Sequence, residues 1–203
     1  MTTTWVRKEV ADEQLQFVRE EWTNIDRLRP YWYFAKVMAG IDEPNKRLLD
    51  VGCGVGHYGR FCQHFFPQVD YAGCDLSDFM IEHARSFAPL GRFSQCDILD
   101  APYAGRNVLL FSGVLEYTED PFATLAKCLG LADDNAWVIL HRIRLTGHQS
   151  RPIPEKTYFG YTENHYLWNQ TELFSFLAPL LTGVRHIEWY DDSQSTIAGR
   201  VIP

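Results

Sequence analysis

Four glycines, Gly52, Gly54, Gly56 and Gly59, fall between a short apolar run, Arg47–Val51, and a segment carrying Phe61, Cys62, Phe65 and Phe66 on one helical face. Glycine accepts left-handed backbone angles and lets another group approach where a Cβ would clash. A glycine cluster between a strand pattern and a helix pattern therefore fixes a strand–turn–helix unit. The helix that leaves such a turn starts with unpaired N–H groups. In an open α/β sheet the turn lies beyond the carboxyl ends of the strands, where ligands bind at the switch point of strand order.

The rest of the chain repeats this unit. Asp70–Cys74 reads as a second strand, followed by a helix capped by Ser77 and bearing Met80, Ala84 and Phe87. Arg92–Cys96 and Asn107–Phe111 read as strands three and four; the stretch Leu99–Arg106 between them is too short for a crossover helix. Asp120-Pro121 opens a helix with Phe122, Leu125, Ala126 and Leu129 at helical spacing and Gly130 as its stop. The glutamates Glu116 and Glu119 read as charges of that helix start. Ala136–His141 is a fifth strand. Residues 144–169 read as an irregular insertion, long enough to be functional. Thr171 is the expected cap of a short helix, Glu172–Ala178. Val184–Tyr190 and Thr196–Ile202 are separated by the polar stretch Asp191–Ser195, too short for a parallel crossover, so they form an antiparallel hairpin. Upstream, Leu15, Val18, Trp22 and Ile25, then Pro30 with Phe34, Val37 and Met38, mark N-terminal helices.

The expected fold is a doubly wound α/β domain over 1–203. Its sheet is mostly parallel and seven-stranded, with a C-terminal antiparallel hairpin. Residues 1–45 form a helical cap, 46–203 a Rossmann-like core, and 144–169 an insertion on the substrate side. A chain of 203 residues with 46% hydrophobic residues has enough apolar surface for such a core without disulfides or structural metal. The net charge of −7 disfavours nucleic acid and anionic membrane as partners. The five cysteines never occur as Cys-x-x-Cys, so reduced thiols in the cytoplasm are expected and no metal site is assigned. Met1–Lys8 has no apolar stretch, so no secretory signal is expected.

Two ligands suit the glycine loop. Gly54-x-Gly56-x-x-Gly59, with Asp75 further on, matches a dinucleotide fingerprint and would suit a nicotinamide-dependent oxidoreductase. Asp50, however, puts a carboxylate beside the loop. That charge repels a pyrophosphate and attracts a cationic amino-acid group. Leu49-Asp50-Val51-Gly52-Cys53-Gly54-Val55-Gly56 resembles the first motif of the class I S-adenosylmethionine-dependent methyltransferases, and the resemblance extends over roughly Arg47 to Pro203. It implies that Asp50, Gly52, Cys53, Gly54, Gly56 and His57 surround the methionine part of the cofactor. Asp75, with Leu76, matches the acidic position after strand two and would clamp the ribose hydroxyls. Asp97 and Ile98 would meet the adenine, and Ser112 and Gly113 lie in the family's region after strand four.

The activity implied is methyl transfer from S-adenosylmethionine to an oxygen of a small-molecule acceptor. A catalytically inactive S-adenosylmethionine-binding partner or sensor is the alternative within the same fold. Tyr117 stands where many relatives carry His, and His141 ends strand five; both are the expected catalytic residues. Tyr31, His148, Tyr161, His165 and Trp168 are the expected acceptor-pocket residues, together with Tyr158 and Phe159.

Overall fold

A computed structural model of the protein describes residues 4–156, 160–188 and 194–203. At its centre lies β1 (Arg47–Val51), paired in parallel with β2 (Asp70–Asp75) on one side and β4 (Val108–Ser112) on the other. Both faces of this strand are covered, which is why it reads as a continuous apolar run. β3 (Arg92–Gln95) extends the sheet beyond β2, and β5 (Trp137–Thr146) pairs in parallel with β4. The order β3-β2-β1-β4-β5 reverses direction between β1 and β4, so the switch point sits above the glycine loop.

The C-terminal pair behaves as the short connection requires. β8 (Leu181–Glu188) and β9 (Gln194–Val201) are antiparallel, and β9 inserts next to β5, also antiparallel. Most of the Asp191–Ser195 connection, like Tyr158 and Phe159, lies outside the described residues. The expectation of an irregular 144–169 segment is corrected. It holds two strands, β6 (Arg151–Lys156) and β7 (Thr162–Asn169), paired antiparallel. β7 joins the outer end of β5 through Leu145 and Thr146, so the sheet has nine strands rather than seven. The two prolines of β6, Pro152 and Pro154, hid it from a strand reading, yet it sits at an edge of the sheet, where proline is tolerated.

The helices cover both faces. Leu49, Val51, Leu109, Phe111, Val138 and Leu140 point to one side, against Leu125 and Leu129 of α5 (Pro121–Gly130) and Leu173 and Leu177 of α6 (Gln170–Leu177). Leu48, Leu110 and Ile139 point to the other, against α2 (Arg29–Gly40), α3 (His57–Phe65) and α4 (Asp78–Phe87). Phe34 and Met38 of α2 are fully buried there, each contributing roughly 1.5–3 kcal/mol through removal from water. Ser77 caps α4 and Asp120 caps α5, as their sequence positions indicate. At α6 the cap is Asn169, not Thr171: the Glu172 N–H donates to Asn169 Oδ1 at 2.9 Å. Beyond this frame, α1 (Lys8–Trp22) lays Val10, Ala11, Leu15 and Val18 against Met80 and Phe87 of α4 and Val55 of the glycine loop.

Candidate active site

The glycine loop turns tightly because three of its residues, Gly52, Gly54 and Gly56, are left-handed, with φ of 73°, 52° and 78°. Side chains rarely adopt these angles. Space is also short: a Cβ on Gly52 would lie 2.3 Å from Val114 Cγ2. The loop is tied to β2, since the Gly52 and Cys53 N–H groups both donate to the Cys74 carbonyl. It is capped by α1, whose Gln14 Oε1 accepts the Val55 N–H at 3.3 Å.

Above the loop lies a half-open cavity of about 160 Å³. On the β1–β3 side it is lined by Gly52, Gly54, Asp75, Leu76, Cys96 and Ile98. On the β4–β5 side stand Ser112, Gly113, Tyr117 and Arg142, with His57, His165 and Trp5 nearby. Gly113 is left-handed at φ 61°, and the space its Cβ would take is open.

Asp75 is the best-defined group in the crevice. Its Oδ2 accepts the Gly54 N–H at 2.9 Å and its Oδ1 accepts the Ser77 N–H at 3.0 Å. Each carboxylate oxygen has two acceptor sites, so each keeps one beyond these bonds. Burial pushes the carboxyl upward in pKa, against the pull of the backbone N–H groups. Asp50 stands behind the loop, buried, with the Tyr71 hydroxyl donating to its Oδ2 at 2.5 Å. Its Oδ1 has no hydrogen-bond partner among the described residues. Burial pushes Asp50 up to about 7, with the Tyr71 bond opposing and the Asp75 charge adding.

Of the residues expected to hold the cofactor, Gly52, Gly54, His57, Asp75, Leu76, Ile98, Ser112 and Gly113 line the cavity. Asp50, Cys53 and Gly56 support the loop from behind instead. Asp97 is spent on local structure, its Oδ1 accepting the Leu99 N–H to cap the turn Ile98–Asp100. Two acidic positions of the three therefore attend the loop and crevice directly, and the third flanks them through Cys96 and Ile98.

The expected acceptor residues divide more sharply. Tyr117 lines the cavity between Trp5 and His165, with ring centroids at 4.9 and 5.6 Å, both edge-to-face. His141 does not line it. Its ring is fully buried, with Nδ1 2.8 Å from Thr196 Oγ1, and burial drives its pKa well down. Its ring packs instead on the core side of the sheet, against Phe34 of α2 and Tyr58 of α3, with centroids at 6.1 and 5.5 Å. Of the five acceptor-pocket residues, His165 faces the cavity. Tyr31 is in the core, with its hydroxyl donating to Glu21 Oε2 at 3.3 Å, and Trp168 is buried against Phe122. Tyr161 donates to Glu9 and lies under the Arg7 guanidinium, and His148 is exposed. The glutamate reading is also corrected: Glu116 is buried in the turn Leu115–Tyr117, where burial pushes it up to about 7.

Sequence reasoning passed over Trp5, Gln14, Gln194 and Arg142. For Arg142 a signal existed, since it directly follows the predicted end of strand five. Burial, then the Arg142 charge, pushes His57 down to about 3. Burial, then the Arg144 charge, with Glu155 opposing and Arg142 adding a smaller push, lowers His165 to about 4, so both rings are neutral near pH 7.

Comparison with known proteins agrees with this crevice. Residues 49–138 match a family model described as a methyltransferase domain. The chain is 31% identical over 109 residues to a trans-aconitate 2-methyltransferase of Acidovorax ebreus, covering 51% of this chain and 41% of that protein. It is 35% identical over 94 residues to a malonyl-[acyl-carrier protein] O-methyltransferase of Halalkalibacterium halodurans, covering 42% and 34%. The match thus spans well under half the length of these relatives. Among solved structures, a TehB-like S-adenosylmethionine-dependent methyltransferase from Corynebacterium glutamicum superposes with a TM-score of 0.66 at 14% identity, over 97% of this chain and 100% of that one. The N-terminal domain of EvdMO1, solved with SAH bound, gives 0.62 at 14%, over 85% and 81%. The fold and crevice define a doubly wound α/β domain with an open cavity at the switch point of its sheet. Residues 49–138 are similar to a methyltransferase domain, and the fold of the chain is that of solved S-adenosylmethionine-dependent methyltransferases. The match over residues 49–138 favours the methyltransferase reading of the glycine loop over the dinucleotide one.

Proposed function

We propose that the protein transfers a methyl group from S-adenosylmethionine to an oxygen atom of a small-molecule acceptor. The observation that carries this reading is Asp75. A half-buried carboxylate lining the crevice, with one acceptor site left on each oxygen, suits a vicinal diol, and a ribose presents one. The left-handed Gly52 and Gly54 leave backbone exposed to the amino-acid tail, with the Asp50 charge behind them. Leu76 and Ile98 offer apolar surface for the base. When bound, the cofactor supplies a methyl group already activated by the positive sulfur.

The chain's own contribution is placement. Holding an acceptor oxygen in line at near-attack distance supplies about 7–11 kcal/mol of the barrier. Tyr117, from the turn after β4, and His165, from β7 of the insertion, form the wall on the acceptor side. His57 and His165 line the crevice but are lowered to about 3 and about 4, so both are neutral near pH 7 and weak bases, and His141 is sealed in the core. Oxygen as the acceptor atom is supported by the malonyl-[acyl-carrier protein] O-methyltransferase relative, and a small acceptor rather than nucleic acid by the net charge of −7.

The test is calorimetry and thermal unfolding with S-adenosylmethionine and S-adenosylhomocysteine, with NAD(P) as control, followed by methyl transfer to a panel of hydroxylated and carboxylated acceptors. Stabilisation by both adenosyl compounds and by neither nicotinamide is expected. Stabilisation by NAD(P) alone overturns the reading. Tight adenosyl binding without transfer to any acceptor replaces catalysis with a cofactor-binding role.

A further inference from the structure

We infer that the acceptor is a carboxylate and that Arg142 takes its charge, an inference that rests on the methyltransferase reading above. Arg142 is the one permanent cation among the described residues lining the crevice. It stands on β5, on the β4–β5 side of the cavity, within electrostatic reach of His57 and His165, whereas Asp75 and Ile98 belong to the β2–β3 side.

Its backbone is unusual. Arg142 has φ 63°, one of two non-glycine residues described with a positive φ, and it occupies the irregularity between His141 and Ile143 in the β5–β9 pairing. A left-handed non-glycine residue is disfavoured by roughly 1–2 kcal/mol. Both neighbours in the strand are buried, His141 at 0% and Ile143 at 1% exposure. The bulge therefore breaks the alternation of the strand at one residue and re-aims that side chain toward the crevice, a recurring use of bulges beside functional sites.

The surroundings fit an anion. Two acidic groups feel the Arg142 charge: Glu21, raised by burial, and Glu116, pushed up by burial to about 7 and so only partly ionised near pH 7. The nearby rings of His57 and His165 are held neutral, so they neither compete for the anion nor add a second charge. A guanidinium has five donors in a plane. It can keep a contact within the protein and still present two N–H groups side by side to a carboxylate.

The chemistry closes without a base. A carboxylate is already ionised near pH 7. One of its oxygens gains the methyl carbon, the carbon–sulfur bond breaks, and its electron pair stays on sulfur. The negative carboxylate and the positive sulfonium become a neutral ester and a neutral thioether, and no proton moves. This accounts for a crevice whose histidines are poor bases and whose expected base, His141, is sealed in the sheet.

The experiment is a calorimetric titration of trans-aconitate and adipate, alongside their fully amidated counterparts, into protein saturated with S-adenosylhomocysteine. Wild type, Arg142→Gln and Arg142→Lys are compared. The carboxylates are expected to bind wild type and the amides are not. Arg142→Gln should weaken carboxylate binding by about tenfold or more, the weight of one charge-assisted hydrogen bond. Arg142→Lys should retain part of it, while S-adenosylhomocysteine affinity changes less than about threefold in both. Equal binding of acids and amides by wild type, no binding of either acid, or undiminished binding of the acids by Arg142→Gln would each overturn the inference. The wild-type comparison stands even if Arg142→Gln does not fold. Failure of wild type to bind S-adenosylhomocysteine would instead remove the methyltransferase reading beneath it.

Discussion

Asp75→Ala separates ligand recognition from stability. In the protein without ligand, the carboxylate accepts two backbone N–H groups, from Gly54 and Ser77. Losing them costs about 0.5–1.5 kcal/mol each. The substitution also removes a half-buried charge whose pKa burial has raised. The sign follows: a folded pKa above the unfolded value means that ionisation near pH 7 works against folding, so removing the charge gives some stability back. The two effects oppose, and the net change should stay within about 2 kcal/mol, the common range for single substitutions. Binding has no such offset. Two charge-assisted hydrogen bonds to ribose hydroxyls, at about 1.5–3 kcal/mol each, are lost together. That is about 3–6 kcal/mol, or roughly a hundredfold to ten-thousandfold in affinity. Calorimetry with S-adenosylhomocysteine and denaturant unfolding of the same preparation measure both. Affinity within about threefold of wild type in a folded Asp75→Ala protein would refute the argument that the two remaining acceptor sites exist for a diol.

Three further outcomes follow from the same geometry. Gly52→Ala should destabilise by about 2–4 kcal/mol, since the left-handed angle and the contact with Val114 add; Val114→Ala in that background should recover the steric part only, read by denaturant midpoints. Asp50, buried and raised to about 7, contributes stability that is complete below pH ~4 and lost as pH rises toward 7. Asp50→Asn should therefore gain on wild type by up to about 4 kcal/mol between pH 4 and 8 without ligand, and parallel stability profiles would contradict this. Cys96 lines the crevice, and its thiol is lowered in pKa chiefly by a hydrogen bond from Cys74. It should be the first of the five cysteines alkylated by iodoacetamide, identified by mass spectrometry, and S-adenosylhomocysteine should slow that reaction.

The parts of the fold that could be read from the chain are those where local chemistry and long-range packing agree. Arg47–Val51 is apolar throughout because both its faces are covered, and the glycines follow because the backbone there is left-handed. Ser77 and Asp120 cap helices by local rules and were legible for that reason. The insertion was not, because β6 carries Pro152 and Pro154 and is largely exposed. An edge strand of that kind has neither the alternation nor the composition that marks a half-buried one.

The site was legible to the same extent and failed for a related reason. Asp75 stands at a strand end and could be placed by counting along β2, whereas His141 and Arg142 differ by a single step along β5. That one step decides everything about their chemistry. His141 is inside the sheet, hydrogen-bonded to Thr196, and its burial forbids the charged form. Arg142 is turned by the bulge into the crevice. A period-two reading of the strand predicts that neighbours point to opposite faces, but not which of them a bulge brings to the ligand. The consequence is mechanistic as well as structural. A base at position 141 suits an acceptor that must lose a proton, and a cation at 142 suits one that has already lost it. The backbone angle of one arginine thus bears directly on which class of acceptor the crevice is built to take.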